Sequence, residues 1–203
     1  MAKNIPEHSK PAELFYNKEE SKKYHRNTRI NKIQIEMTEK ALELLNLNDR
    51  KYFIIDIGCG SGLSSQVILD KGHEYIGVDI SESMLNIHRE FIENSNILNF
   101  DIGEKEWPLT ENSFDFAISI STIQWLFSSF KNEHNPKKRI NNFLNNLYRI
   151  TKYKAVLQFY LKRQQDIDML VRYSKKVGFY TKLIIDGVGK NKKFYIIISK
   201  LRK

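Results

Sequence analysis

Tyr52-Phe53-Ile54-Ile55-Asp56-Ile57-Gly58-Cys59-Gly60-Ser61-Gly62 is the stretch whose reading decides the fold. β-Branched and aromatic residues run into three glycines at alternate positions, and Leu63 to Lys71 then carries apolar residues at helical spacing. That order reads as strand, tight turn and helix. Gly58, Gly60 and Gly62 remove Cβ atoms where a backbone must bend sharply and offer its N–H groups to a ligand. A dinucleotide fingerprint, G-x-G-x-x-G, would need its third glycine at the position of Leu63. The pattern here is D-x-G-x-G-x-G, opening on Asp56. His73 to Asp79 predicts the next strand, and Asp79 follows Gly58 by 21 residues, close to the roughly 20 expected of an acid that accepts from ribose hydroxyls. Ser81 stands where the following helix needs its N-cap, which leaves Asp79 available to a ligand.

The 203 residues (24.0 kDa, 41% hydrophobic) suit one α/β domain. Residues 1–48 are expected to form an N-terminal extension and helix, and residues 49–203 the core. No apolar run approaches the roughly 18 residues of a membrane span, and Met1 to Lys10 is polar, so a soluble intracellular protein without a membrane partner is expected. The lone Cys59 excludes an internal disulfide, and its place inside the glycine loop suits a small loop residue better than a nucleophile. His8, His25, His73, His88 and His134 are scattered, so no metal is expected. Charge is uneven. Residues 131–203 hold 19 Lys/Arg against 4 Asp/Glu, whereas residues 1–130 hold 14 against 20. An excess sustained over a third of the chain points to a polyanion, most simply nucleic acid.

Along the chain, residues 1–17 read as loop. From Arg29 to Asn46, Ile30, Ile33, Met37, Ala41, Leu44 and Leu45 fall on one helical stripe that should pack on the sheet. A helix around Glu82 to Glu93 follows the second strand, and the third strand is predicted over Asn96 to Asp101. Ser113 to Ser121 is the fourth strand, Asn135-Pro136 opens a helix reaching about Ile150, and Tyr153 to Tyr160 is the fifth strand. Gln164 to Lys176 is a helix ended by Gly178. Phe179 to Asp186 and Lys193 to Ser199 are joined by too short a link for a crossover, so they form an antiparallel hairpin.

Several segments together are more selective than the fold. Pro11-Ala12-Glu13-Leu14-Phe15-Tyr16-Asn17, Lys23-Tyr24, Thr28-Arg29-Ile30, Met37-Thr38, Asp56 to Gly62, Ala117 to Leu126, Gln158-Phe159-Tyr160 and Lys192 to Tyr195 resemble the eukaryotic small-subunit (18S) ribosomal RNA guanine-N7 methyltransferases, a class I S-adenosylmethionine-dependent family. Leu161 and Tyr153-Lys154 depart from that family's usual Pro and Gly-Gly, and the family carries a basic tail beyond the hairpin.

The resemblance implies a Rossmann-like, mostly parallel seven-stranded sheet with a C-terminal antiparallel hairpin and an N-terminal helical extension. It also implies S-adenosyl-L-methionine as cofactor. Gly58, Gly60 and Gly62 would line its methionine, Asp56 would support the loop, and Asp79 would hold the ribose. Asp101 would take the adenine amino group between Ile80 and Ile102. Arg29 with Tyr24 would fold over the methionine carboxylate, the alternative for Arg29 being a surface helix charge. Trp125 and Tyr16 would contact the guanine, or else belong to the core. Guanine N7 has a free lone pair, so the reaction can run on positioning without a general base.

The family's small zinc-binding activator would pair with the sheet edge at Asn96-Ile97-Leu98-Asn99-Phe100. Ribosomal RNA would lie over Lys131 to Arg139, over Lys162, Arg163 and Arg172, and over Lys190 to Lys193. Neutralising Lys137, Lys138 and Arg139 should then weaken RNA binding while sparing cofactor affinity. Location in nucleus, nucleolus and cytoplasm would follow. A small-molecule carboxyl methyltransferase and a non-catalytic RNA-binding scaffold remain the competing readings.

Overall fold

The computed structural model describes residues 6–128, 130, 135–161, 163–189 and 192–200. Seven strands, β1 (Phe53–Ile57), β2 (Glu74–Asp79), β3 (Ile97–Asn99), β4 (Phe114–Ile120), β5 (Thr151–Phe159), β6 (Tyr180–Asp186) and β7 (Lys193–Ser199), form one sheet. Their order is β3-β2-β1-β4-β5-β7-β6. The first five run parallel, and β7 is antiparallel to both β5 and β6. The helices are α1 (Ala12–Phe15), α2 (Lys18–Arg26), α3 (Thr28–Leu45), α4 (Leu63–Asp70), α5 (Glu82–Phe91), α6 (Pro136–Ile150) and α7 (Gln164–Val177). No helix among the described residues is long and apolar enough to cross a membrane.

Successive strand residues feed two cores. β1 sends Ile55 and Ile57 to one face, where Ile140, Phe143, Leu144 and Leu147 of α6 and Ile167 and Leu170 of α7 pack. Ile54 goes to the other face, against Met37, Ala41, Leu42 and Leu45 of α3 and Val67 and Ile68 of α4. β4 divides likewise, Ala117 facing the first core and Phe116, Ile118 and Ile120 the second. Helices on both faces explain why these strands carry so few polar residues. α6 starts where Asn135 accepts the N–H groups of Lys137 and Lys138, with Pro136 in its first turn.

Two expectations are corrected, and one helix stands where none was expected. β3 stops at Asn99: the Phe100 N–H makes one last bond to the Asp79 carbonyl of β2 at 3.2 Å, and Asp101 then closes a turn by accepting the Gly103 N–H at 2.8 Å. Residues 1–17 are not all loop: a 3₁₀ turn spans Pro6–His8 and α1 spans Ala12–Phe15. α2 stands where the sequence shows no apolar stripe. Its only buried residue is Ser21, and it starts because Asn17 accepts the N–H groups of Glu19 and Glu20.

Candidate active site

Strand order reverses between β1 and β4, and there the carboxyl ends of the strands open on a crevice, the usual ligand position in open α/β sheets. A cavity of about 460 Å³ fills it. The glycine loop forms its floor. Gly58 has φ +75°, and a Cβ there would overlap the Thr122 side chain, so both backbone and neighbour require glycine. The Gly58 and Cys59 N–H groups donate to the Val78 carbonyl at 2.7 and 3.0 Å, which locks the loop to β2.

Asp79 ends β2 and joins two backbones. One oxygen accepts the Gly60 N–H at 2.9 Å and the other the Ser81 N–H at 2.8 Å, so loop and α5 N-terminus are set relative to each other. Burial raises its pKa against these hydrogen bonds. Asp56 sits beneath the loop, fully buried. One oxygen accepts the Ser64 and Ser65 hydroxyls at 2.6 Å each, and the other has no hydrogen-bond partner. Burial pushes this carboxyl up to about 6. The Cys59 thiol is buried and raised well above its ordinary range by burial, which disfavours the thiolate a nucleophile needs.

His88 is a further support that the sequence does not signal. Its Nδ1 meets the Gly60 carbonyl at 3.3 Å and its Nε2 the Tyr75 hydroxyl at 2.9 Å, fully buried. Burial pushes it down to about 4. The ring is therefore neutral at neutral pH, with Nδ1–H donating to the carbonyl and Nε2 accepting from Tyr75.

The opposite wall is aromatic. Tyr16 lies 5.8 Å from Trp125 and 5.8 Å from Tyr24, ring centre to ring centre. The Tyr16 carbonyl accepts from Ser81 at 2.8 Å and from Ser21 at 3.1 Å, binding the N-terminal segment to the start of α5 beside Asp79. Burial raises the Tyr16 and Tyr24 phenols, so both stay protonated. Ser121, immediately after β4, has φ +56°, rare for a residue with a side chain. Its hydroxyl donates to Gln158 at 3.0 Å and accepts from Gln34 at 3.2 Å.

Thus Tyr16, Tyr24, Gly58, Gly60, Asp79, Ile80, Asp101, Ile102 and Trp125 all line one cavity. Asp56, in β1 beneath the loop, and Gly62, at the start of α4, do not line it. Arg29 is a further exception. Asn27 caps α3 one residue before its start, which leaves Arg29 exposed in the first turn and outside the cavity wall, where Gln34 stands instead. Phe100, expected on the sheet edge, turns inward to the cavity and packs on Trp107.

Arg139 is also displaced from its expected surface role. It is 9% exposed and grips Asp101 with both terminal nitrogens, so neutralising it would disturb the cavity as well as any RNA surface. Arg149 likewise turns inward, donating to the Leu109 and Trp107 carbonyls. Lys137, Lys138, Arg163, Arg172 and Lys192 remain exposed, Arg163 pairing with Asp166, whereas Lys131, Lys162 and Lys190 lie outside the described residues.

The methyltransferase domain family matches residues 55–159. The chain is 42% identical over 199 residues to a Dictyostelium discoideum protein called "Probable 18S rRNA (guanine-N(7))-methyltransferase", covering 95% of this chain and 69% of the relative. It is 41% identical over 199 residues to the 18S rRNA (guanine-N(7))-methyltransferase of Schizosaccharomyces pombe, covering 96% and 74%. In fold it matches a chain of the solved complex containing the Haloferax volcanii Trm112 methyltransferase activator, with TM-score 0.62, 14% identity and coverage of 90% and 98%.

Proposed function

This chain belongs to the 18S rRNA (guanine-N7)-methyltransferase family, and from that premise we propose how its cavity carries out the family's reaction. The protein is an S-adenosylmethionine-dependent methyltransferase acting on guanine N7 of small-subunit ribosomal RNA. The residues fit the cofactor on three counts. The volume lies in the range of small-molecule sites. A Cβ at Gly60 would meet no atom within 4 Å, so the loop leaves open space there. Asp56 keeps one buried oxygen unpartnered beneath it.

When bound, the cofactor supplies a sulfonium methyl group for in-line displacement by N7. The glycine loop holds the methionine end, with Asp56 supplying negative charge below it. Asp79 would accept from the ribose hydroxyls, and Asp101, Ile80 and Ile102 would hold the adenine. Tyr24 would close the methionine side, and Trp125 and Tyr16 would orient the guanine ring and exclude water. No residue here has to remove a proton from N7, and positioning carries the rate. The observation that carries the cofactor assignment is the Asp79 carboxylate at the carboxyl end of β2, bridging Gly60 and Ser81 in the wall of the cavity.

The test is incubation with cofactor labelled in the methyl group and small-subunit RNA, followed by mapping of the label. Label at one guanine N7, lost in Asp79→Ala together with cofactor affinity, is expected. Label on small acids and none on RNA would overturn the assignment.

We further propose that β3 receives a strand from a small zinc-binding activator. β3 is the outer strand of the sheet, and Leu98 on it is 37% exposed. Location in the nucleus, nucleolus and cytoplasm is proposed with the same substrate.

A further inference from the structure

We propose that Arg139 is a positioning residue for the cofactor's adenine: it clamps Asp101 so that the cavity selects an amino group over a carbonyl at the purine 6-position. The proposal rests on the reading that Asp101 and Ile102 face the adenine. Arg139 is the fourth residue of α6 and lies in the cavity wall. Its Nη1 donates to one Asp101 oxygen at 2.8 Å and its Nη2 to the other at 2.9 Å, a two-pronged grip that fixes the plane of the carboxylate.

Space has been made for this grip. Gly103 has no positive φ, yet a Cβ on it would overlap the Arg139 guanidinium, so any side chain there would have to displace the guanidinium from its present place. Arg139 Nε is buried without a hydrogen-bond partner, an arrangement that carries a cost in stability.

Anchoring α6 does not explain that cost. Asn142 already donates to the Gly103 carbonyl at 3.0 Å, and Asn146 to the Lys105 carbonyl at 3.0 Å, holding the helix to the same turn. What Arg139 adds is control of the Asp101 carboxylate. A fixed anionic acceptor favours the amino group of adenine and repels the carbonyl oxygen of hypoxanthine. A carboxylate free to rotate would turn away from the carbonyl and discriminate less.

The test measures binding of S-adenosylhomocysteine and S-inosylhomocysteine by calorimetry, alongside Tm, for the wild-type chain, Arg139→Lys, Arg139→Gln and Gly103→Ala. The wild type should prefer the adenine ligand by about tenfold to hundredfold. Arg139→Gln should lose most of that preference, and Arg139→Lys, with one ammonium for two oxygens, should fall between. Gly103→Ala should shift the ratio the same way by displacing the guanidinium. A lowered Tm with the wild-type ratio retained in the two Arg139 variants would reduce Arg139 to a fold contact and overturn the proposal. A wild type that binds both ligands equally would overturn it while leaving the cofactor site standing. Binding of neither ligand would remove the cofactor reading too.

Discussion

A methyl group added at Gly60 would meet no atom within 4 Å, whereas one at Gly58 would overlap Thr122. The two positions therefore separate folding from binding. Gly60→Ala should lower stability by only about 1 kcal/mol, the cost of a left-handed alanine, while its Cβ should enter the space proposed for the cofactor and lower S-adenosylhomocysteine affinity further. Gly58→Ala should lower Tm much more; equal Tm losses in the two variants would contradict these separate roles.

A pair of buried groups opposes itself in pH. His88, held down to about 4, contributes stability above the unfolded histidine pKa that is lost as pH falls toward 4. Asp56, held up to about 6, contributes stability below the unfolded carboxylate pKa that is lost as pH rises through 6. Each effect is about 3 kcal/mol, so they offset across this window. In His88→Gln only the Asp56 effect remains, reinforced by the raised Asp79, and Tm should fall as pH rises from 4.5 to 6.5 more steeply than in wild type. Parallel Tm profiles for the two proteins would refute this. Asp56 and Asp79 are readable from spacing because strand ends fix their place. His88 and Arg139 are not, because their partners Gly60 and Asp101 lie 28 and 38 positions away.

The strands from β1 to β7 and the helices α3 to α7 are readable because burial on both faces imposes long apolar patterns. α2 is not, because its stability comes from the Asn17 cap and from packing on α5 rather than from an apolar face of its own. β3 reads too long in sequence for the complementary reason: Phe100 is apolar but serves the cavity, so composition alone does not show where the strand ends. This leaves Ile97 and Leu98 as the apolar residues of the edge itself. Leu98→Lys should weaken pairing with an activator strand, seen as loss of a co-purifying complex, while leaving S-adenosylhomocysteine affinity at the wild-type value. Retention of the complex would move the activator site off β3.

The basic C-terminal third looks uniform in sequence, yet the folded chain divides it into two populations. Arg139 and Arg149 are spent on Asp101 and on the Trp107 and Leu109 carbonyls, and Lys154 donates to the Leu45 carbonyl. Lys137, Lys138, Arg172 and Lys192 are exposed. Exchanging these four for glutamine should flatten the salt dependence of RNA binding by roughly 0.7 to 0.9 in logarithmic slope for each phosphate no longer neutralised, with cofactor affinity unchanged. An unaltered slope would place the RNA elsewhere. The sheet order carries one more consequence. β7 follows β6 in the chain but lies between β5 and β6, and its Tyr195, Ile196 and Ile198 are fully buried. During synthesis β6 therefore emerges before the neighbour it needs, and β5 keeps an open edge until the hairpin folds back. The nascent chain should therefore pass through a state with one unpaired strand, β6, and one open sheet edge, β5, the moment at which it is most exposed to aggregation.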